Sequence, residues 1–360
     1  MVLAGGGSAG HVEPALALAD ALRRRDAAVG ITALGTSEGL ESRLVSARGY
    51  ELAVLPKVPL PRRPTMDLFR VPGRLLGAVR AARVHLDRVG ADVVVGFGGY
   101  VALPAYLAAW RRGTPYVVHE ANAKAGLANR IGARRTPYVA AAVDGTGLPG
   151  ARTLGVPLRS SISTLDRRAA RPAARTALGL EQDGPVLLVT GGSQGARRIN
   201  SAVTGAAAAL ARAGVQVLHV AGPLQAEVVR QGLGAQAPPS HHVLDYVDGM
   251  DLAYAAADLA LCRAGMMTCS ELAAVALPGF YVPLPVGNGE QALNARPVVE
   301  AGGGVLVQDA ELTPSYVEQV VLPALLDPAR LARMASAAGA LGHRDADEAL
   351  VELVLEAVRR

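Results

Sequence analysis

Met1-Val2-Leu3-Ala4-Gly5-Gly6-Gly7-Ser8-Ala9-Gly10-His11-Val12-Glu13-Pro14 opens the chain, and its reading governs everything after it. A short apolar run passes straight into a glycine loop. An amphipathic stretch follows, Pro14–Arg25, with Ala15, Leu18, Ala19 and Leu22 at i, i+3, i+4 and i+7. Strand, glycine turn and helix begin a βαβ unit. Gly5, Gly7 and Gly10 satisfy G-x-G-x-x-G, so a dinucleotide site is the first reading to test. Such a site also needs an acid at the end of the second strand, for the ribose hydroxyls. That strand ends Leu34-Gly35-Thr36-Ser37, and Glu38 and Glu41 come a turn too late. NAD is therefore set aside. A loop of close backbone N–H groups at a helix N-terminus remains, suited to a phosphate or a developing oxyanion. His11 sits where an imidazole can reach a ligand there, unless it only caps the helix.

The same rhythm continues outward. Met1–Ala4, Val29–Leu34, Val93–Gly96, Tyr116–His119 and Tyr138–Ala142 read as strands separated by helical stretches. After the Pro/Arg/Ser-rich stretch 157–175 it restarts, with strands at Val186–Thr190, Val215–Ala221, Val243–Asp245, Leu259–Cys262 and Gly279–Val282. Ala346–Arg360 reads as a closing helix with Ala349, Leu350, Leu353, Val354 and Ala357 on one face. Strands alternating with helices imply parallel sheets, here twice over. A length of 360 residues suits two domains, and 51% hydrophobic residues can bury a large core.

Charge is uneven. Residues 1–160 hold 21 Lys/Arg against 11 Asp/Glu (+10), and the remainder 15 against 20 (−5). A basic half points to nucleic acid or to an anionic surface or substrate. Aromatics are only 4%, so stacking platforms for bases are nearly absent and nucleic acid is not expected. Cys262 and Cys269 are too few for a disulfide framework or a zinc cage. No apolar run approaches bilayer length, and Met1–Gly5 lacks a leader pattern, so a soluble, unexported protein is expected.

Three further loops carry chemistry. Thr190-Gly191-Gly192-Ser193-Gln194-Gly195-Ala196-Arg197 repeats the glycine turn after the first strand of the second half. Cys262-Arg263-Ala264-Gly265-Met266-Met267-Thr268-Cys269-Ser270-Glu271 again runs strand, turn, helix, with Arg263 and the helix amides suited to a diphosphate. Glu271 lies a turn into that helix, where a carboxylate can accept both hydroxyls of a ribose; a solvated surface Glu is the plainer reading. Pro285-Val286-Gly287-Asn288-Gly289-Glu290-Gln291-Ala292-Leu293-Asn294 ends in amides, which suit sugar hydroxyls. His119-Glu120-Ala121-Asn122 closes a strand of the first half. His241-His242, beside Pro238-Pro239, reads as an exposed linker, and no metal-ligand spacing is present.

Together these motifs resemble the bacterial MurG glycosyltransferases. The resemblance covers essentially the whole chain and adds Gly96-Phe97-Gly98-Gly99-Tyr100 and Gly155-Val156-Pro157-Leu158-Arg159. It implies a GT-B fold: two Rossmann-like, doubly wound α/β domains facing a central cleft. Residues 1–158, joined by a C-terminal helix 340–360, would hold lipid I and face the membrane; residues 159–339 would hold the UDP-sugar. It also implies an inverting, metal-independent transfer of N-acetylglucosamine from UDP-GlcNAc to the 4-hydroxyl of lipid I, forming lipid II, with no cofactor. Val247 would meet the uracil and Glu271 the ribose. Ser193, Arg263 and the Met266, Met267 and Thr268 amides would meet the diphosphate. Gln291 and Glu290 would meet the sugar, with Asn122 from the other domain, and Arg159 near the junction. Ser8, Gly10, His11 and Tyr100 would face the acceptor. His11 would be the general base, with Glu120 as alternative. The family usually has a small residue where this chain has Met266, whose side chain is expected near the sugar's far edge.

Other readings stay open: a GT-B enzyme of secondary metabolism, a nucleotide-sugar epimerase of the same fold, or a non-catalytic scaffold of wall synthesis. Lipid I cannot leave the bilayer, so a peripheral position on the cytoplasmic face of the membrane is expected. The segment 66–83 mixes Phe69, Leu75, Leu76 and Val79 with Arg70, Arg74, Arg80 and Arg83. Phe69, Arg70, Arg74, Leu75 and Arg80 are the expected contacts with anionic lipid. A helix packed on its own sheet is the other reading of the segment.

Overall fold

The computed structural model describes residues 1–37, 39–58, 71–192, 195–235, 237–286 and 289–359. They divide into two units, Met1–Arg159 with Arg344–Arg360, and Ser160–His343. Every strand pairing in both is parallel.

The first unit's sheet contains β1 (Val2–Gly5), β2 (Thr32–Gly35), β3 (Glu51–Val54), β4 (Val94–Gly98), β5 (Tyr116–Glu120), β6 (Val139–Ala141) and β7 (Arg152–Thr153), in the order β3-β2-β1-β4-β5-β6-β7. The order reverses between β1 and β4, so the loops leaving those two strands flank the crevice where such sheets take ligands. Both faces are covered, which is why β1, β4 and β5 are buried from end to end. One face packs Leu3, Val95 and Phe97 against Leu16, Leu22, Leu350 and Val354. The other packs Val94 and Val118 against Val79, Leu86 and Tyr106. The C-terminal helix Ala346–Val358 thus joins the first unit, beside the helix Ala9–Arg25. Arg24 donates to Asp347 at 2.6 Å and to Glu348 at 2.9 Å, fixing its register there.

Three differences from the sequence reading have plain causes. The first helix starts at Ala9 rather than Pro14, because a proline in its second turn forfeits one backbone bond and the helix continues. β3 and β7 are edge or near-edge strands with exposed positions, and β13 (Gly304–Leu306) is only three residues long. None of these has the continuous apolar run that marked the others.

The second unit repeats the plan with β8 (Val186–Thr190), β9 (Gln216–Val220), β10 (His241–Leu244), β11 (Leu259–Arg263), β12 (Gly279–Val282) and β13, ordered β10-β9-β8-β11-β12-β13. Its switch point lies between β8 and β11. Both glycine loops are set by close backbone approach. A Cβ on Gly99, at φ +78°, would stand 2.1 Å from the Gly6 carbonyl oxygen; one on Gly195, at φ +73°, would stand 2.3 Å from that of Ala221.

The supposed linker at His241-His242 is strand β10, and His241 is buried. His219 Nε2–H donates to Asn200 Oδ1 at 3.1 Å, which leaves His219 Nδ1 to accept from His241 Nε2 at 3.0 Å. Burial pushes His219 down to about 3 and His241 down to about 4, so both are neutral in the fold. Unfolded, they take up protons near the ordinary value of 6.5. Stability should therefore be complete above that pH and fall as pH drops toward about 4. Thermal unfolding followed from pH 7.5 to 4.5 should show this fall, and a shallower one in His241→Phe; identical slopes would mean that the pair does not contribute.

Candidate functional site

In the first unit, loops leaving β1 and β4 gather the expected residues. Ser8 ends the glycine loop, and its carbonyl accepts from His11 N at 3.1 Å, starting the helix. His11 Nδ1–H donates to the Gly6 carbonyl at 3.2 Å, with Ser8 Oγ also at 3.1 Å. A Gly6 carbonyl can only accept, so the bond to it assigns the proton of a neutral ring to Nδ1 and leaves Nε2 as the acceptor. A Cβ on Gly98 would stand 3.1 Å from Nε2, so the ring lies over the end of β4. Tyr100 is 43% exposed and borders Gly7. Ser8, Gly10, His11 and Tyr100 thus share one end of the sheet, beside a histidine nitrogen able to accept a proton.

Glu120 is differently placed. It is buried at the end of β5, and its carboxylate accepts from Asn122 N at 2.9 Å, Gly126 N at 3.0 Å and Asn129 Nδ2 at 2.9 Å. Those bonds organise the loop carrying Asn122 and leave little capacity for a substrate proton, which argues against Glu120 as base. Tyr106 OH donates to Asn129 Oδ1 at 2.8 Å and completes the brace. His119 is wholly buried, bonded through Nε2 to the Gly155 carbonyl at 2.9 Å, and pushed by burial down to about 4. Its role is structural. Arg159 belongs to this unit, with Nε 3.8 Å from the Glu13 carboxylate.

In the second unit, β8, β11 and β12 are adjacent parallel strands, so the loops that follow them leave the same edge of the sheet. Ser193 lies outside the described residues. The helix Met266–Ala274 has no side-chain cap at Gly265, so the Met266, Met267 and Thr268 amides face outward unsatisfied by the helix, as an anion site requires. Glu271 is 6% exposed, and Tyr254 OH donates to its Oε2 at 2.6 Å. A buried carboxylate beside an uncapped helix start is no solvated surface residue. Arg167 fixes the ends of the two helices concerned, donating to the carbonyls of Tyr254 (2.9 Å), Ala257 (2.5 Å) and Ala276 (2.8 Å).

Arg263 departs from expectation. Its Nη1 is bound to the carbonyls of Val282 (3.1 Å) and Pro283 (3.2 Å) and to Asp309 Oδ1 at 2.6 Å. The guanidinium ties β11 to β12 and shares its charge with Asp309; it serves the loop's shape first. The Met266 side chain is 6% exposed, packed into its own unit rather than extended from it. Gln291 Oε1 accepts from Leu284 N at 2.9 Å, which holds the loop after β12 against the helix Glu290–Glu300. Glu290 begins that helix, half-buried, and Val247 is buried after β10. Among the described residues no three His, Cys, Asp or Glu side chains gather as a metal-binding group.

Glu41, Asn129, Tyr254 and Arg167 were not singled out from sequence. Glu41 was set aside as a turn too late after the second strand, and it lies in the first turn of the helix Leu40–Ala47.

Residues 1–141 match the glycosyltransferase family 28 N-terminal domain and residues 186–350 its C-terminal domain. A protein of Acidothermus cellulolyticus is 62% identical over 359 residues, covering 99% of this chain and 97% of that one. One of Streptomyces avermitilis is 61% identical, covering 99% and 98%. Both are named UDP-N-acetylglucosamine–N-acetylmuramyl-(pentapeptide) pyrophosphoryl-undecaprenol N-acetylglucosamine transferase. The solved structure of Acinetobacter baumannii MurG superposes with a TM-score of 0.77 at 29% identity, covering 99% of each chain.

Proposed function

The chain belongs to glycosyltransferase family 28, among the MurG enzymes, and on that premise we propose that it moves N-acetylglucosamine from UDP-GlcNAc to lipid I to form lipid II. The observation that carries this reading is the end-to-end match to relatives named for that transfer. The second unit binds the donor: Glu271 takes the ribose hydroxyls, the Met266–Thr268 amides take the diphosphate, and Gln291 and Glu290 border the sugar. The muramyl 4-hydroxyl attacks the anomeric carbon as the bond to the UDP oxygen breaks, inverting the centre. The hydroxyl proton passes to His11 Nε2, and the charge on the departing UDP meets the helix amides without a metal. Label from UDP-GlcNAc appearing in a lipid I analogue tests the reading.

The acceptor is anchored in a bilayer, so the first unit must dock on one, at the cytoplasmic face. Among the described residues no helix is long and apolar enough to cross a membrane. The helix Val71–Arg88 offers the surface. Leu75 packs on the core, contrary to expectation, because Leu75, Val79, Ala82 and Leu86 form its inward stripe. Leu76 is 41% and Val84 64% exposed, on the opposite face with Arg80 and Arg83; Arg74 is exposed a turn away. Phe69 and Arg70 lie outside the described residues. Apolar tips among arginines suit shallow insertion into anionic lipid. At about 1 kcal/mol per arginine, Arg74→Ser with Arg80→Ser should weaken binding to anionic vesicles roughly thirtyfold at low salt and less at high salt. Sedimentation indifferent to both substitutions and salt would return this helix to a purely structural role.

A further inference from the structure

Glu41 is 1% exposed and makes no ion pair among the described residues, yet it accepts three hydrogen bonds from other residues. Oε1 takes Thr36 N and Thr36 Oγ, both at 2.8 Å; Oε2 takes Gly7 N at 3.1 Å. Space for it is reserved by three glycines. A Cβ on Gly39 would stand 2.2 Å from the carboxylate, one on Gly35 2.4 Å from Cγ, and one on Gly6 3.1 Å from Oε1. Burial would raise this carboxyl, but bonds from its own backbone, Thr36 and Gly7 outweigh that and hold it below the usual carboxylate range. It is an anion in the fold.

The N–H of Gly7 and the C=O of Gly6 belong to one planar peptide group. The C=O side accepts the Nδ1 proton of His11, and the N–H side donates to Glu41. An anion at the N–H end draws charge onto the carbonyl oxygen and strengthens its hold on Nδ1–H, since hydrogen bonds in series polarise one another. We propose that Glu41 is a positioning residue for the transfer, acting on His11 through the Gly6–Gly7 peptide as a carboxylate acts directly on histidine in an acid–histidine pair. The relay fixes the imidazole in the Nδ1–H tautomer and aims the Nε2 lone pair at the acceptor side. Thr36 holds the carboxylate in line, so the turn after β2 is coupled to the turn after β1.

This inference rests on His11 as the base, and its test separates the two claims. Glu41→Gln keeps the shape, but one amide edge must set N–H against the Gly7 or Thr36 donors. It should lower kcat at least tenfold while donor affinity, a property of the other unit, stays within about twofold. Glu41→Gln should add almost nothing in a His11→Ala background, whereas a purely structural brace would cost as much there as in the parent. Nitrogen-15 spectra of His11 should show the Nδ1–H tautomer in the parent and a mixture in Glu41→Gln. Should Glu41→Gln fail to fold, the parent spectrum decides, because an Nε2–H tautomer overturns the relay outright. An unchanged kcat in folded Glu41→Gln overturns it as well. Full activity in His11→Ala would instead remove His11 as base, while the spectra still report whether the relay exists.

Discussion

His11→Ala should lower kcat for transfer to lipid I by about 10²–10⁴-fold, the ordinary worth of a positioned general base. UDP-GlcNAc affinity should stay within about twofold, because the residues proposed for the ribose and diphosphate belong to Ser160–His343 and His11 does not. The loss should fall on kcat, since the Nε2 lone pair matters only as the 4-hydroxyl gives up its proton. His11→Gln is the sharper control: its amide can reach similar hydrogen-bond partners but cannot take a proton. Steady-state rates for both variants, with calorimetry for UDP-GlcNAc, read the two quantities separately. A His11→Gln enzyme as fast as the parent would show that the imidazole only caps its helix.

Glu271→Ala should weaken UDP-GlcNAc binding by about 2–3 kcal/mol, roughly 30–150-fold, because two ribose hydroxyls lose a charged acceptor. Removing the carboxylate also removes the acceptor of the Tyr254 hydroxyl at 2.6 Å, so some loss of stability should accompany it. Glu271→Gln keeps the shape and should lose about tenfold. Tyr254→Phe frees the carboxylate from its 2.6 Å bond and should weaken the donor less than either. A 2′-deoxy donor analogue should narrow the gap between parent and Glu271→Ala, since part of the lost interaction is already absent. Calorimetry giving equal UDP affinities for parent and Glu271→Ala would take this residue out of the site.

Two doubly wound sheets were legible because strands covered on both faces read as near-continuous apolar runs, as Val94–Gly98 and the first four residues of Val186–Thr190 do. Exposed edges such as Arg152–Thr153 carry no such mark. The glycine loops were legible because their backbones approach others too closely for a side chain, at Gly99 and Gly195. Hydrogen-bond partners were not. Glu120 read as available chemistry, but its carboxylate is engaged by Asn122, Gly126 and Asn129, and sequence spacing says nothing about such engagement. Arg263 stood at a diphosphate loop, yet Asp309, 46 residues on, claims Nη1. His241 seemed exposed beside Pro238-Pro239 because its partner, His219, lies on the neighbouring strand. The most informative miss is Glu41. It was set aside as too late after the second strand to hold a ribose, and in the structure it turns inward to Gly7.

Sugar transfer to a lipid-linked acceptor can be followed by counting both products of one reaction. UDP-GlcNAc labelled in the sugar is incubated with the enzyme and a lipid I analogue, and label in the lipid and released UDP are counted in the same tubes. One labelled sugar should enter the lipid per UDP released, with neither accumulating when the analogue is omitted. UDP released without label in the lipid, or labelled donor returned as its epimer, would contradict it.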